Sequence, residues 1–135
     1  MSLERIKEIY SDYKKALKRL REALDQSSLK KDIKIDAVIQ RFEFTFELAW
    51  KLAKAVLAYN GIEADTPRAV IKEAFKAKLI LSGEDWIDML EDRNRTSHIY
   101  DEKTALKIYK KNKKIQLKQL TDLNKRIIEK LGNVK

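Results

Sequence analysis

A histidine placed five residues after an arginine is the chemical equipment of this chain. His98 is its one histidine. Arg93, Asn94, Arg95 and Tyr100 surround it in the stretch from Glu91 to Glu102. An imidazole titrates near neutrality and can give or take a proton in general acid–base catalysis. A guanidinium can brace a phosphate through two parallel hydrogen bonds. Arg93 and His98 together therefore suit phosphate chemistry, and no other segment carries comparable groups. The plainer alternative is a surface histidine and an arginine in a salt bridge.

The spacing sets a condition. At about 100° per residue, five residues along a continuous helix leave two positions about 140° apart around its axis. Arg93 and His98 converge within one chain only if a helix ends between them. Thr96 and Ser97 are poor helix-interior residues and Asp101 is a good helix starter, which predicts an end near Arg95 and a link carrying His98. The N-terminus of the next helix would then lie close by and attract phosphate. Tyr100, just before that start, either covers the end of the fold or exposes its hydroxyl to modification.

Glu43 and Glu47 stand four apart in a helical pattern, a spacing at which like charges repel by a few tenths of a kcal/mol. That predicts a cation opposite them, with Arg93 and Arg95 as candidates and Lys51 able to relieve Glu47 from the same helix. Carboxylates that orient an arginine are favoured here over catalytic carboxylates. Trp50 and Trp86 fall on apolar faces, as core residues do. Metal binding is not expected with one histidine, no cysteine and no clustered aspartate motif. Phosphate-cradling glycine loops, a G-x-S-x-G elbow and an H-E-x-x-H pair are all missing from the sequence.

The elements that must position these groups are helical. Only three glycines and one proline punctuate 135 residues, and 38% are charged, as in helical bundles. Leu3, Ile6, Tyr10, Tyr13, Leu17, Leu20 and Leu24 repeat at steps of three and four, a helix with one apolar seam ended by Asp25 to Ser28. Lys30 to Asp32 reads as a link. A second helix runs from about Asp36 to Tyr59. Ile39, Phe42, Phe46, Ala49, Ala53 and Val56 form one seam; Phe44, Leu48, Leu52 and Ala55 add another. Such a helix is central to a bundle or also faces a second subunit. Asn60 and Gly61 supply its C-terminal cap.

Thr66 and Pro67 start a third helix as N-cap and first residue, with Val70, Ile71, Ala74 and Phe75 as its apolar residues. After a break at Ser82 to Asp85, a fourth helix turns Trp86, Ile87, Met89 and Leu90 inward. A fifth starts at Asp101 and Glu102 and continues through Leu106, Tyr109, Leu117, Leu120, Ile127 and Leu131. The expectation is one all-α domain over residues 1–135, an up-down antiparallel bundle of four to five helices.

Composition bounds the function further. Without cysteine there is no thiol catalysis, no Cys-zinc site and no disulfide framework. No stretch approaches the ~20 apolar residues of a membrane span, and the first residues lack a signal-peptide core, so a soluble cytoplasmic protein without membrane contact is expected. The net charge of +9 favours polyanions through counterion release; the alternative is a solvated lysine-rich surface. The basic run from Lys107 to Lys118 is interleaved with Ile108, Tyr109, Ile115 and Leu117, as on an amphipathic helix.

Arg93 to Tyr100 resembles the R-x4-H-x-Y motif of HEPN domains. Gln40 to Lys51, Thr66 to Phe75 and Trp86 to Asn94 flank it in the order found in the HepT-like toxins, the HEPN branch also called nucleotidyltransferase substrate-binding proteins. The likeness extends from about Ile33 to Tyr109. It implies an all-α HEPN-like bundle that forms a homodimer, bringing two motifs together, and a metal-independent ribonuclease needing no cofactor. In that family picture Arg93 stabilises the phosphate of RNA, His98 handles protons as the 2′-hydroxyl attacks, and Asn94 assists. The resemblance also implies a partner, a small minimal nucleotidyltransferase (MNT) antitoxin that transfers AMP to Tyr100. The family's other interpretation makes this chain a non-catalytic subunit that presents substrate to the nucleotidyltransferase.

Overall fold

The computed structural model describes residues 2–98 and 101–132, with the backbone alone at 97 and 98. Its elements are helices: α1 (Leu3–Asp25), α2 (Lys31–Tyr59), α3 (Pro67–Lys76), α4 (Gly83–His98), α5 (Glu102–Lys111) and α6 (Leu117–Leu131), with a π-helical segment at Asn112–Gln116. The backbone stays in the right-handed helical region through both ends of that segment, so α5 and α6 form one continuous rod. Four long rods and the short α3 make the all-α bundle.

Side-chain bonds fix the directions of the rods. Thr45 donates to the Ala16 carbonyl (3.2 Å) and Arg41 to the Arg19 carbonyl (2.8 Å), so α1 and α2 run antiparallel. Arg93 reaches Glu47 and Thr96 reaches Glu43, so α4 runs antiparallel to α2. Gln119 reaches Asp85 while Lys111 and Gln116 reach Asp92, so the last rod runs back along α4. The topology is up-down.

Local sequence explains the ends. Ser2 accepts from the Arg5 N–H, Thr66 from the Ala69 N–H ahead of Pro67, and Asp101 from the Thr104 N–H. α2 ends where Gly61 takes a φ of 82°, a conformation that suits glycine, and Ile62 N–H bonds back to the Leu57 carbonyl. One boundary differs from expectation: α2 begins at Lys31, so Lys30 to Asp32 is not a link. Asp32 in the first turn compensates the helix dipole there, although no side chain caps the start.

α2 is the central element and packs against every other helix. Val38, Ile39, Phe42, Phe46, Ala49, Leu52, Ala53, Ala55 and Val56 are all buried on it, so its second apolar face mostly closes against the bundle. Phe44 alone of that face stays largely open, at 61% exposure, with Leu48 half-buried beside it. Trp86, Met89 and Leu90 bury on α4 while Ile87 is half-buried. Phe75 is 51% exposed, because α3 buries Val70, Ile71 and Ala74 and carries Phe75 to its outer edge over Gly83.

Candidate functional site

Arg93 is built into the bundle. Its Nη1 donates to Glu47 Oε2 at 2.9 Å, across from α4 to α2. Its guanidinium carbon lies 5.8 Å from the centre of the Phe46 ring, which itself packs against Trp86. Glu47 is pinned from its own helix as well, by the Trp50 indole N–H (3.1 Å) and by Lys51 Nζ (3.4 Å). Glu43 accepts from the Thr96 hydroxyl (2.8 Å). The two glutamates are thus each engaged by α4, one through Arg93 and one through Thr96.

Arg95 points elsewhere. Its Nη1 donates to Asp92 Oδ1 at 2.8 Å. Asp92 is fully buried, and it also accepts from Lys111 Nζ (3.0 Å) and from Gln116 Nε2 (2.9 Å). Asn112 donates in turn to Gln116, and Lys111 reaches Asp88 (3.0 Å). A buried carboxylate is costly unless paired and hydrogen-bonded, and here it is both. Burial pulls the Lys111 pKa down, but its hydrogen bonds to Asp92 and Asp88 and their charges outweigh that and raise it above the ordinary lysine value. Asn94 is exposed on the same helix.

One expectation about the motif is corrected. α4 does not end near Arg95; it continues through His98. Thr96 is accommodated because its hydroxyl bonds both Glu43 and the Arg93 carbonyl (3.0 Å) behind it. Positions 93 and 98 therefore lie about 140° apart around one helix axis and do not meet on one face of it. The N-terminus of α5 carries acidic side chains of its own. Asp101 already takes the Thr104 N–H at 2.8 Å, and Glu102 adds a second carboxylate in the first turn. The hydrogen bonds from Thr104 hold the Asp101 carboxyl below its usual range. The His98 side chain and Tyr100 lie outside the described residues.

Sequence reasoning missed Asp92, Thr96, Lys111 and the buried pair Asn112 and Gln116. Among the described residues, three side chains suited to holding a metal ion come together nowhere, and no helix is long and apolar enough to cross a membrane.

Comparison with known proteins places this architecture. A relative from Haemophilus influenzae, named "Probable ribonuclease HepT", is 35% identical over 89 residues, 62% of this chain and 61% of the relative. The chain thus spans less than two thirds of that relative's length. A crystal structure of a Thermus thermophilus protein is 31% identical with a TM-score of 0.72, covering 90% of this chain and 99% of that one. A second Haemophilus influenzae structure, described as the fold of a substrate binding domain of a nucleotidyltransferase, is 25% identical with a TM-score of 0.63 and covers 93% and 98%. The model of the family described as "Nucleotidyltransferase substrate binding protein like" matches residues 8–129. The chain belongs to that family, whose HepT-like branch its motif resembles.

Proposed function

We propose that the chain is a homodimeric, metal-independent endoribonuclease, the toxin of a pair whose antitoxin is a minimal nucleotidyltransferase. The observation that carries this reading is the anchoring of Arg93. Glu47 at 2.9 Å and the Phe46 ring hold a guanidinium five residues ahead of His98 on the same helix. A pre-oriented cation is what a phosphoryl transition state needs. The name of the Haemophilus influenzae relative supports ribonuclease chemistry.

In this reading the RNA 2′-hydroxyl attacks the adjacent phosphorus and the 5′-oxygen leaves. One imidazole accepts the proton of the attacking hydroxyl and another protonates the leaving oxygen, giving a 2′,3′-cyclic phosphate and a free 5′-hydroxyl. Arg93 stabilises the added charge on the phosphate and Asn94 assists. Positions 93 and 98 diverge around α4, so an arginine of one copy and a histidine of the other would serve each site. Phe44, exposed one residue from Glu43 and three from Glu47, gives a second copy an apolar contact beside the motif. The partner would transfer AMP from ATP to Tyr100, and the added anionic bulk two residues from His98 would exclude RNA. The reading locates this pair in the cytoplasm, with its RNA and ATP.

The experiment is cleavage of RNA by the purified chain, with His98→Ala and Arg93→Ala alongside. Loss of cleavage in both variants, with the fold intact, is expected; equal cleavage by all three rules the reading out. A second reading is a non-catalytic subunit that presents substrate to the nucleotidyltransferase. The family description and the second Haemophilus influenzae structure favour it. It predicts binding without cleavage and a nucleotidyltransferase whose activity rises when this chain is added.

A further inference from the structure

Four basic side chains and one carboxylate line a groove away from Arg93. This groove, of about 410 Å³, lies between α1 and α6 and opens beside the π segment. Arg21, Lys113, Lys118 and Lys125 line it. Its one carboxylate, Asp122, is taken by Arg126 Nε at 2.9 Å. Around the motif and on the inner side of the rod the cations are matched: Arg93 and Lys51 by Glu47, Arg95 by Asp92, Lys111 by Asp88 and Asp92. Lys113, Lys118 and Lys125 form no ion pair among the described residues. Arg21 is held toward the groove by the Thr121 hydroxyl (3.2 Å), so it is presented in place.

The π segment contributes to this arrangement. Its wide turn points Asn112 and Gln116 inward to the Asp92 network and leaves Lys113 and Lys114 on the outside. A π turn is rare, and π turns recur at functional sites.

We propose that this groove is an exosite for RNA, holding the phosphate backbone of the substrate outside the scissile linkage. The inference rests on the ribonuclease reading for the identity of its ligand. Three unmatched lysines and a fixed arginine in a concave track are complementary to successive phosphates, and such contacts position a strand without reading its sequence. The floor of the groove is tied to α4 by Gln119 and Asp85 (3.0 Å). Asp85 precedes Arg93 by eight residues, about 12 Å along the helix, within reach of a strand that also crosses the motif.

The test is RNA binding, read by fluorescence anisotropy with a labelled single strand in the His98→Ala background, where the strand stays whole. The groove variant carries Lys113→Glu, Lys118→Glu and Lys125→Glu. A control variant carries Arg68→Glu, Lys72→Glu and Lys76→Glu on α3, with the same net charge. Folding of both is checked by circular dichroism. The groove variant should bind at least ten-fold more weakly than the parent, and its slope of log affinity against log salt should be shallower by about 2. The deficit should grow with strand length and vanish for a dinucleotide. Equal loss in the control variant, or unchanged affinity in the groove variant, would overturn the exosite. Because binding is read without turnover, a chain that binds through the groove but never cleaves would strike only the ribonuclease reading.

Discussion

Glu47 accepts from Arg93 and Trp50 and pairs with Lys51, which makes it the residue through which α2 sets the position of the guanidinium. Glu47→Ala should keep the fold and lower the cleavage rate by about 100-fold, the cost of a small misplacement at a reacting centre. Glu47→Gln, which still offers Arg93 an oxygen, should recover part of it. Unchanged rates in Glu47→Ala would show that Arg93 needs no such brace. Asp92 is different in kind, being buried and bonded to Lys111, Gln116 and Arg95. Asp92→Ala strands those donors and should cost about 3 kcal/mol in urea unfolding; a loss under about 1 kcal/mol would contradict its place at the centre of the network. The arginine's partner was half legible in the sequence, since two glutamates at i and i+4 call for a cation. Which of two arginines answered was not, because Arg93 and Arg95 differ only in the azimuth that α4 gives them.

At the scale of elements, the apolar seams of α1 and α2 and the Thr66–Pro67 start were readable because each follows the 3.6-residue period or a capping rule. The π segment was not read, yet its trace lies in the chain. The inward positions Ile108, Asn112, Gln116 and Leu120 step by four three times, where an α-helix would use about eleven residues for three turns. Two of those positions are polar, which hid the pattern from a search for apolar residues, and the shift leaves Ile115 44% exposed. The rod that results is tied to α1 by Tyr13, whose hydroxyl donates to the Leu120 carbonyl at 2.6 Å. Burial pushes the Tyr13 pKa well above 10, with Tyr10 adding to the rise. Its folded pKa is above its unfolded value, so its contribution is whole below about pH 10 and is lost as pH rises past that point. Lys111 acts with the same sign at similar pH. The melting temperature should therefore fall above pH 10, and Tyr13→Phe should fall less steeply. Identical alkaline slopes would remove Tyr13 from the account.

At the scale of the whole molecule, one bundle presents a motif whose positions 93 and 98 diverge around the axis of α4, an exposed phenylalanine next to it, and a basic groove elsewhere. The all-α fold could be read from punctuation and period alone. The geometry of the motif could not, because Thr96, a poor helix former by propensity, is retained in α4 by bonds to Glu43 and Arg93 that only the folded chain supplies. If two copies complete the site, Phe44→Glu should yield a monomer in analytical ultracentrifugation and lose cleavage together with dimerisation; a dimer that persists would place the interface elsewhere. The most direct test of the central claim is RNA cleavage by the purified chain in EDTA, run with His98→Ala. The account predicts 2′,3′-cyclic phosphate ends from the wild type and none from the variant. Equal cleavage by both, or none from a wild type whose intact mass shows no AMP on Tyr100, would contradict it.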